Sequence, residues 1–371
     1  MFIMNRVLNK LKQDRLLQVV GLMAIIVIVI GKAQWQDIDL HTLLALGSLM
    51  LLVSAYEAEG ILSALAGWLL QRMRSKRQVV GVILLLAFFG AMIFTNDVMI
   101  LTLVPLFMMM AKSIQMPIMT PIILLTIFAN LGSAVTPFGN PQNLYLATYY
   151  HLTLGKFLQL SVPLGGISLI LLGVCLMFFD RKAFTLPELI DVRIDYGRLL
   201  VLLVSTLIIL VAILNVIPIY WALVVSIIDV IMIDRRLLVK FDYGVIGLFI
   251  SFFIVIGAVS RLAGIVFVLQ HLMATENLQF LTSVGLSQVI SNVPAAILLA
   301  HFTDSPGAIY LGVSIGGLGT LIASLANLLA WRQYQRYIDV PNKKFPIRAL
   351  WLNSILLVFF VLIGLVILLI N

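Results

Sequence analysis

The sequence predicts an all-α polytopic membrane protein: two inverted repeats with about nine transmembrane spans, two re-entrant hairpins and broken helices. Three observations predict it. Hydrophobic residues make up 62% of the 371 and charged residues only 11%, against roughly a quarter charged in soluble domains. Long apolar runs recur from Leu16 to Ile370, so the bilayer is the solvent for most of the chain. Polar and helix-breaking residues interrupt four of those runs and recur in the same order in both halves.

In chain order, crossing segments are expected near 15–31, 39–56, 118–150, 157–180, 198–215, 218–234, 244–260, 307–331 and 348–370. The first is read as a retained span. Two apolar pairs, 78–111 and 279–303, are too short for two crossings. Only 34 residues lie between Arg77 and Lys112, and 27 between Glu276 and Asp304, where two crossings need about 40. Both are read as re-entrant hairpins. Irregular backbone at their tips requires a protein or water-filled surrounding.

Charge placement supports this layout. With the N-terminus cytoplasmic and the C-terminus outside, every Lys and Arg except Lys32, Lys156 and Arg261 falls on the cytoplasmic side, as the positive-inside rule requires. The first hairpin then enters from the cytoplasm and the second from outside. The net charge of +8 is therefore topological, and no nucleic-acid partner is expected.

The halves correspond. Gly132, Thr136 and Asn143 match Gly316, Thr320 and Asn327 at one offset of 184, and Thr95-Asn96 matches Ser291-Asn292. The repeats are read as 15–180 and 218–370, with the span 198–215 inverting the second copy. Transporters of this plan carry midplane sites at broken helices.

The first hairpin tip reads Thr95-Asn96-Asp97, the second Ser291-Asn292-Val293-Pro294. Thr, Ser and Asn cap helix N-termini, and Pro suits the first turn. Each tip should start a half-helix whose positive end faces the site. The first broken span carries Thr136, Gly139, Asn140 and Asn143, and the second Gly319, Thr320 and Asn327. Glycine admits close backbone approach, and amides supply donors and acceptors. Without Val293 and Pro294, these residues, twelve in all, are the candidate substrate and ion site. Asp97, a carboxylate in the membrane, is the sharpest member; simple helix capping is its other reading. Sodium is placed near Asn96, Asp97 and Asn140. Asp229, at the inner end of its span, is read as reaching the interface.

Cys175 is the single cysteine, which excludes an internal disulfide framework and a cysteine metal site. His41, His151, His271 and His301 lack metal-ligand spacing. With no Ser/His/Asp constellation or metalloprotease motif, an enzyme is not expected.

Phe94-Thr95-Asn96-Asp97 and Thr136-Pro137-Phe138-Gly139-Asn140-Pro141-Gln142-Asn143 resemble the permeases grouped around arsenite pumps and sodium/proton antiporters. That group belongs to the ion-transporter superfamily, with the divalent-anion/sodium symporters. The resemblance implies a scaffold domain, a moving domain that contains both hairpins, elevator-type transport and a homodimer. In the dicarboxylate symporters the tips read Ser-Asn-Thr. Asp97 and Val293 both depart from that pattern, and the Asp97 form is more similar to the arsenite-pump and antiporter side.

The function expected is secondary active transport of a small anion, coupled to protons or sodium, in the plasma (inner) membrane. A sodium/proton antiporter is the alternative, and a passive channel a further one. No cofactor is expected beyond the coupling ion. The partners are the small ion substrate, the bilayer and a second copy of the chain.

Overall fold

Caps and breakers set the element boundaries. In the computed structural model, which describes residues 15–183, 195–336 and 344–370, every long element is an α-helix. The first part of the chain holds α1 (Arg15–Val29), α2 (Leu40–Ala58), α3 (Ile61–Leu70), α4 (Lys76–Phe94), α5 (Asn96–Ser113), α6 (Met119–Ser133), α7 (Pro141–Tyr149) and α8 (Leu154–Met177). After it come α9 (Tyr196–Ile213), α10 (Tyr220–Asp234), α11 (Arg236–Lys240), α12 (Tyr243–Val259), α13 (Ala263–Leu272), α14 (Glu276–Ile290), α15 (Asn292–Ala300), α16 (Pro306–Gly316), α17 (Leu325–Arg336) and α18 (Lys344–Ile370). Aspartates just before the first turn start several of them. Asp39 accepts from the Thr42 amide and hydroxyl, at 3.1 and 2.6 Å. Asp195 likewise caps α9, and Asp242 caps α12.

Among the described residues, five helices are long and apolar enough to cross a bilayer: α2, α4, α8, α9 and α18. The segments expected at 118–150 and 307–331 are each two helices separated by irregular backbone, α6/α7 and α16/α17. The segment at 244–260 is α12, bent by 91° into α13. Those at 15–31 and 218–234 carry helices of 15 described residues. The first hairpin is longer than its apolar run suggests. Ser75 caps α4 early, so this arm begins at Lys76 and reaches 19 residues. At about 1.5 Å per residue that is roughly a full bilayer width. Its hairpin character therefore rests on the break at Thr95, where α4 meets α5 and the two helices pack on each other.

The chain forms two compact units that interleave the sequence halves. One comprises the chain up to Glu59, Asp195–Ala274 and Ile297–Thr303. Within it α2 packs on α10, α1 on α12 and α9 on α10. Arg261 makes a bidentate contact with Asp37, at 2.6 and 2.9 Å. The Asp37 carboxylate raises the guanidinium pKa further above its usual value. Glycine at 257 leaves room for that carboxylate, which a Cβ there would meet. Asp229 does not reach the interface as its place in the sequence suggests. It is 2% exposed and accepts from the Ser205 hydroxyl at 2.9 Å. The helical register turns it toward α9.

The other unit comprises Gly60–Ile194, Thr275–Ala296 and Asp304–Asn371. It contains the whole first hairpin, the tip of the second and both broken spans. Its two most extensive helix pairs correspond to each other: α4 on α6 in the first half, α14 on α16 in the second. A small residue permits each approach. A Cβ on Gly132 would overlap the Phe88 carbonyl, and one on Gly316 would lie 2.7 Å from Ser287 Cβ and 3.2 Å from Val284 Cα.

Candidate functional site

Both hairpins turn on one residue of the same unusual conformation. Thr95 has φ 71 and ψ 155, and Ser291 has φ 76 and ψ 155. This region belongs almost wholly to glycine, and a side chain there costs about 1–3 kcal/mol. Hydroxyl residues hold it at both tips. The next residues, Asn96 and Asn292, open α5 and α15, and are 4% and 3% exposed.

Each broken span is braced by the same bonds. In the first half the Thr136 hydroxyl donates to the Met92 carbonyl at 2.6 Å. In the second, the Thr320 hydroxyl donates to the Gln288 carbonyl at 3.1 Å. The Asn143 side-chain amide donates to the Ser133 and Thr136 carbonyls at 3.2 and 3.0 Å. The Asn327 side-chain amide donates to the Gly317 and Thr320 carbonyls at 3.0 Å each. Positions 133, 136 and 143 become 317, 320 and 327 on adding 184, and Met92 becomes Gln288 at the 196-residue offset of the tips. The asparagine side chains thus replace helical hydrogen bonds that the breaks remove, which satisfies carbonyls buried away from water.

Asn140 caps α7, with its side-chain oxygen accepting from the Asn143 backbone amide at 2.9 Å and its nitrogen donating to Ser133 Oγ at 3.0 Å. No hydrogen bond joins it to Asn96 or Asp97 among the described residues. Gly139 lies against the Ser133 carbonyl, where a Cβ would overlap. Gly319 takes φ +102 beside Gln288 Oε1. The Asn292 backbone amide donates to the Ala323 carbonyl at 3.0 Å, tying the second tip to the second break. Asp97, half-buried in the first turn of α5, receives no hydrogen bond on its carboxylate and forms no ion pair among the described residues.

Two residues absent from the sequence-based set organise it. Asn130 accepts from Asn96 at 2.7 Å and from the Ser324 hydroxyl at 3.2 Å, and donates to Asn327 Oδ1 at 3.2 Å. It connects the first tip to the second break. Its sequence signal is a lone asparagine inside the apolar run Met119–Ser133. Gln288 donates to the Gly316 and Leu318 carbonyls at 2.7 and 3.0 Å and accepts from the Thr320 amide at 3.0 Å. It lies one turn before the Ser291 tip. Four helix N-termini, those of α5, α7, α15 and α17, therefore begin at the four breaks of this unit, among buried amides.

Known proteins resemble this chain in sequence and in fold. The chain is 31% identical over 299 residues to the Inner membrane protein YbiR of Escherichia coli, covering 80% of each. It is 30% identical over 317 residues to the Uncharacterized transporter MJ0456 of Methanocaldococcus jannaschii, covering 84% of this chain and 86% of that protein. The crystal structure of the Alcanivorax borkumensis YdaH transporter, described as having an unusual topology, matches with a TM-score of 0.53 over 94% of this chain and 88% of that one. At 15% identity that likeness concerns the fold alone. The protein is a multi-pass membrane transporter. A family model described as CitMHS, citrate transporter, matches residues 1–307, and the chain belongs to that family within the ion-transporter superfamily.

Proposed function

We propose that the chain is a secondary active transporter of a small anion, coupled to protons or sodium, working by elevator-type alternating access. The observation that carries this reading is the gathering of four helix N-termini at the breaks of one compact unit. Such ends present amide N–H groups and a partial positive charge to an anion. The family description favours a carboxylate, and the same donors suit an inorganic oxyanion. The moving part is the unit that holds both tips.

Asp97 is the coupling residue in this reading. An unpaired carboxylate in the membrane is costly unless a cation or a proton compensates it. A sodium ion would sit near Asn96, Asp97 and Asn140, with the Asp97 carboxylate as its main oxygen donor, because the Asn96 and Asn140 side-chain oxygens each already accept a backbone amide. The unpaired state of Asp97 equally suits a sodium/proton antiporter, which is the second reading.

Proteoliposomes separate these. Uptake of citrate, phosphate, sulfate or arsenite is measured under imposed sodium or pH gradients, with Asp97→Asn alongside the parent. Anion uptake that needs a cation gradient, and that Asp97→Asn uncouples, supports the symport reading. Sodium-driven proton movement without any anion supports the antiporter. Gradient-independent flux, or full coupling in Asp97→Asn, defeats the assignment.

A further inference from the structure

The compact unit without the hairpin tips carries a polar feature of its own. A cavity of about 250 Å³ opens between the first turns of α9 and the last turns of α10. Asp195, Arg198 and Asp229 supply its polar wall, and Val201, Met232 and Ile233 its apolar one. Asp229 is 2% exposed. Its Oδ1 is held by Ser205, but its Oδ2 has no hydrogen-bond partner among the described residues. Arg198 does not compensate it. That guanidinium donates to Glu59 at 2.6 Å and lies 3.6 Å from Asp195. Among the described residues, Glu59 and Asp195 thus share one guanidinium, and the buried Asp229 is left over. The cavity calls for a cation.

Size and surroundings narrow the choice. The volume is several times the roughly 30 Å³ that one water occupies in the liquid, so a bare metal ion would rattle in it. The C-terminal end of α10 adds partial negative charge. Outside the cavity the two helices show apolar faces: Leu200 is 63% exposed, Leu203 52% and Ile231 55%. A cation with hydrogen-bond donors on one side and hydrocarbon on the other meets all of these walls. The helix ends are also where lipid headgroups sit.

We propose that this cavity binds the primary ammonium of an aminophospholipid headgroup, with Asp229 Oδ2 as its principal acceptor and Asp195 beside it. The exposed side of Arg198 supplies the neighbouring cation for the lipid phosphate.

The test uses delipidated full-length protein and native mass spectrometry. Phosphatidylethanolamine, phosphatidylcholine and phosphatidylglycerol with identical acyl chains are titrated separately. The proposal expects about tenfold tighter retention of the ethanolamine lipid, a difference typical of one charge-assisted contact. Asp229→Asn should lower that preference to the phosphatidylcholine level. Met232→Trp fills the mouth while keeping Asp229, and should lower it equally; if Asp229→Asn does not fold, this variant decides. Equal retention of ethanolamine and choline lipids overturns the proposal, as does an undiminished preference in either folded variant. Displacement of the lipid by millimolar free ethanolamine also overturns it, since a soluble amine would then be the occupant.

Discussion

Asn130 donates its side-chain amide to Asn327 Oδ1, 3.2 Å away and 197 residues later in the chain. The same Asn130 accepts from Asn96 at the first hairpin tip. One side chain therefore satisfies groups from α5 and α17 while itself standing on α6, all in the interior of one unit.

Removing it should be strongly destabilising. Asn130→Leu strands the Asn96 amide, the Ser324 hydroxyl and the Asn327 oxygen, and each buried polar group left alone costs about 1–3 kcal/mol. A loss of at least about 2 kcal/mol is expected in reversible unfolding. Asn353→Leu is the control. Its Oδ1 has no partner among the described residues, and its amide only returns to the Ala349 carbonyl of its own helix. This change removes one hydrogen bond and strands no other side chain, so its cost should be at least about 1 kcal/mol smaller than that of Asn130→Leu. Equal losses in the two variants would refute the bridging role.

Glycines should sort by what lies beside them. Gly132→Ala drives a methyl into the Phe88 carbonyl, and Gly139→Ala drives one into the Ser133 carbonyl. Both obstacles are backbone and cannot swing aside, so a cost above about 2 kcal/mol is expected from overpacking. At Gly166, inside α8, an added methyl would have no neighbour within 4 Å. Gly166→Ala should stabilise by about 0.5–1 kcal/mol, the helix-propensity difference. Thermal melts of the three variants in one detergent would show the split.

At the tips, glycine should outperform alanine. Thr95 and Ser291 hold a positive φ with extended ψ, which glycine adopts freely and alanine does not. Thr95→Gly is expected to be about 1–2 kcal/mol more stable than Thr95→Ala, with the same order at Ser291. Transport by both glycine variants should nonetheless fall, because the tip loses its hydroxyl and its fixed angle. Alanine variants as stable as the glycine ones would mean that the tips relax out of this conformation.

Gln288 works as donor and acceptor at once. Gln288→Glu keeps an acceptor for the Thr320 amide but loses the donor to the Gly316 and Leu318 carbonyls. A destabilisation of about 1–3 kcal/mol is expected at neutral pH. It should shrink as pH falls, since protonation restores one donor. Melts at two pH values check both the size and the sign.

The four breaks are legible in the sequence because their cause is local. Prolines, glycines and caps act on the few residues around them, so Thr95-Asn96, Ser291-Asn292 and the run from Thr136 to Asn143 stand out. Asn130 and Gln288 do not, because their value lies in partners far along the chain and in a register that apolar neighbours do not reveal. Asp229 is hard to place for a related reason. Its position in the span puts it near a helix end, but the direction of its side chain depends on which face α9 covers. The compact units are also hidden, since packing interleaves what the sequence sets in series. The residues alone imply the repeats, whereas a division into two bodies came only with the superfamily resemblance.

The twin braces of the broken spans carry one more consequence. Asn143 and Asn327 fasten their own halves alike, yet only Asn327 has its side-chain oxygen claimed from the other half, by Asn130; the Asn143 oxygen has no partner among the described residues. The position corresponding to Asn130 is Ser314, whose side chain is too short for the same reach. Duplicated segments need not diverge at their ligand contacts to become unequal. A single interior difference, asparagine in one copy and serine in the other, ties the second break to the first half through a side-chain amide, while the first break is tied to the second half by another route, the Tyr310 hydroxyl donating to the Ala134 carbonyl at 2.8 Å.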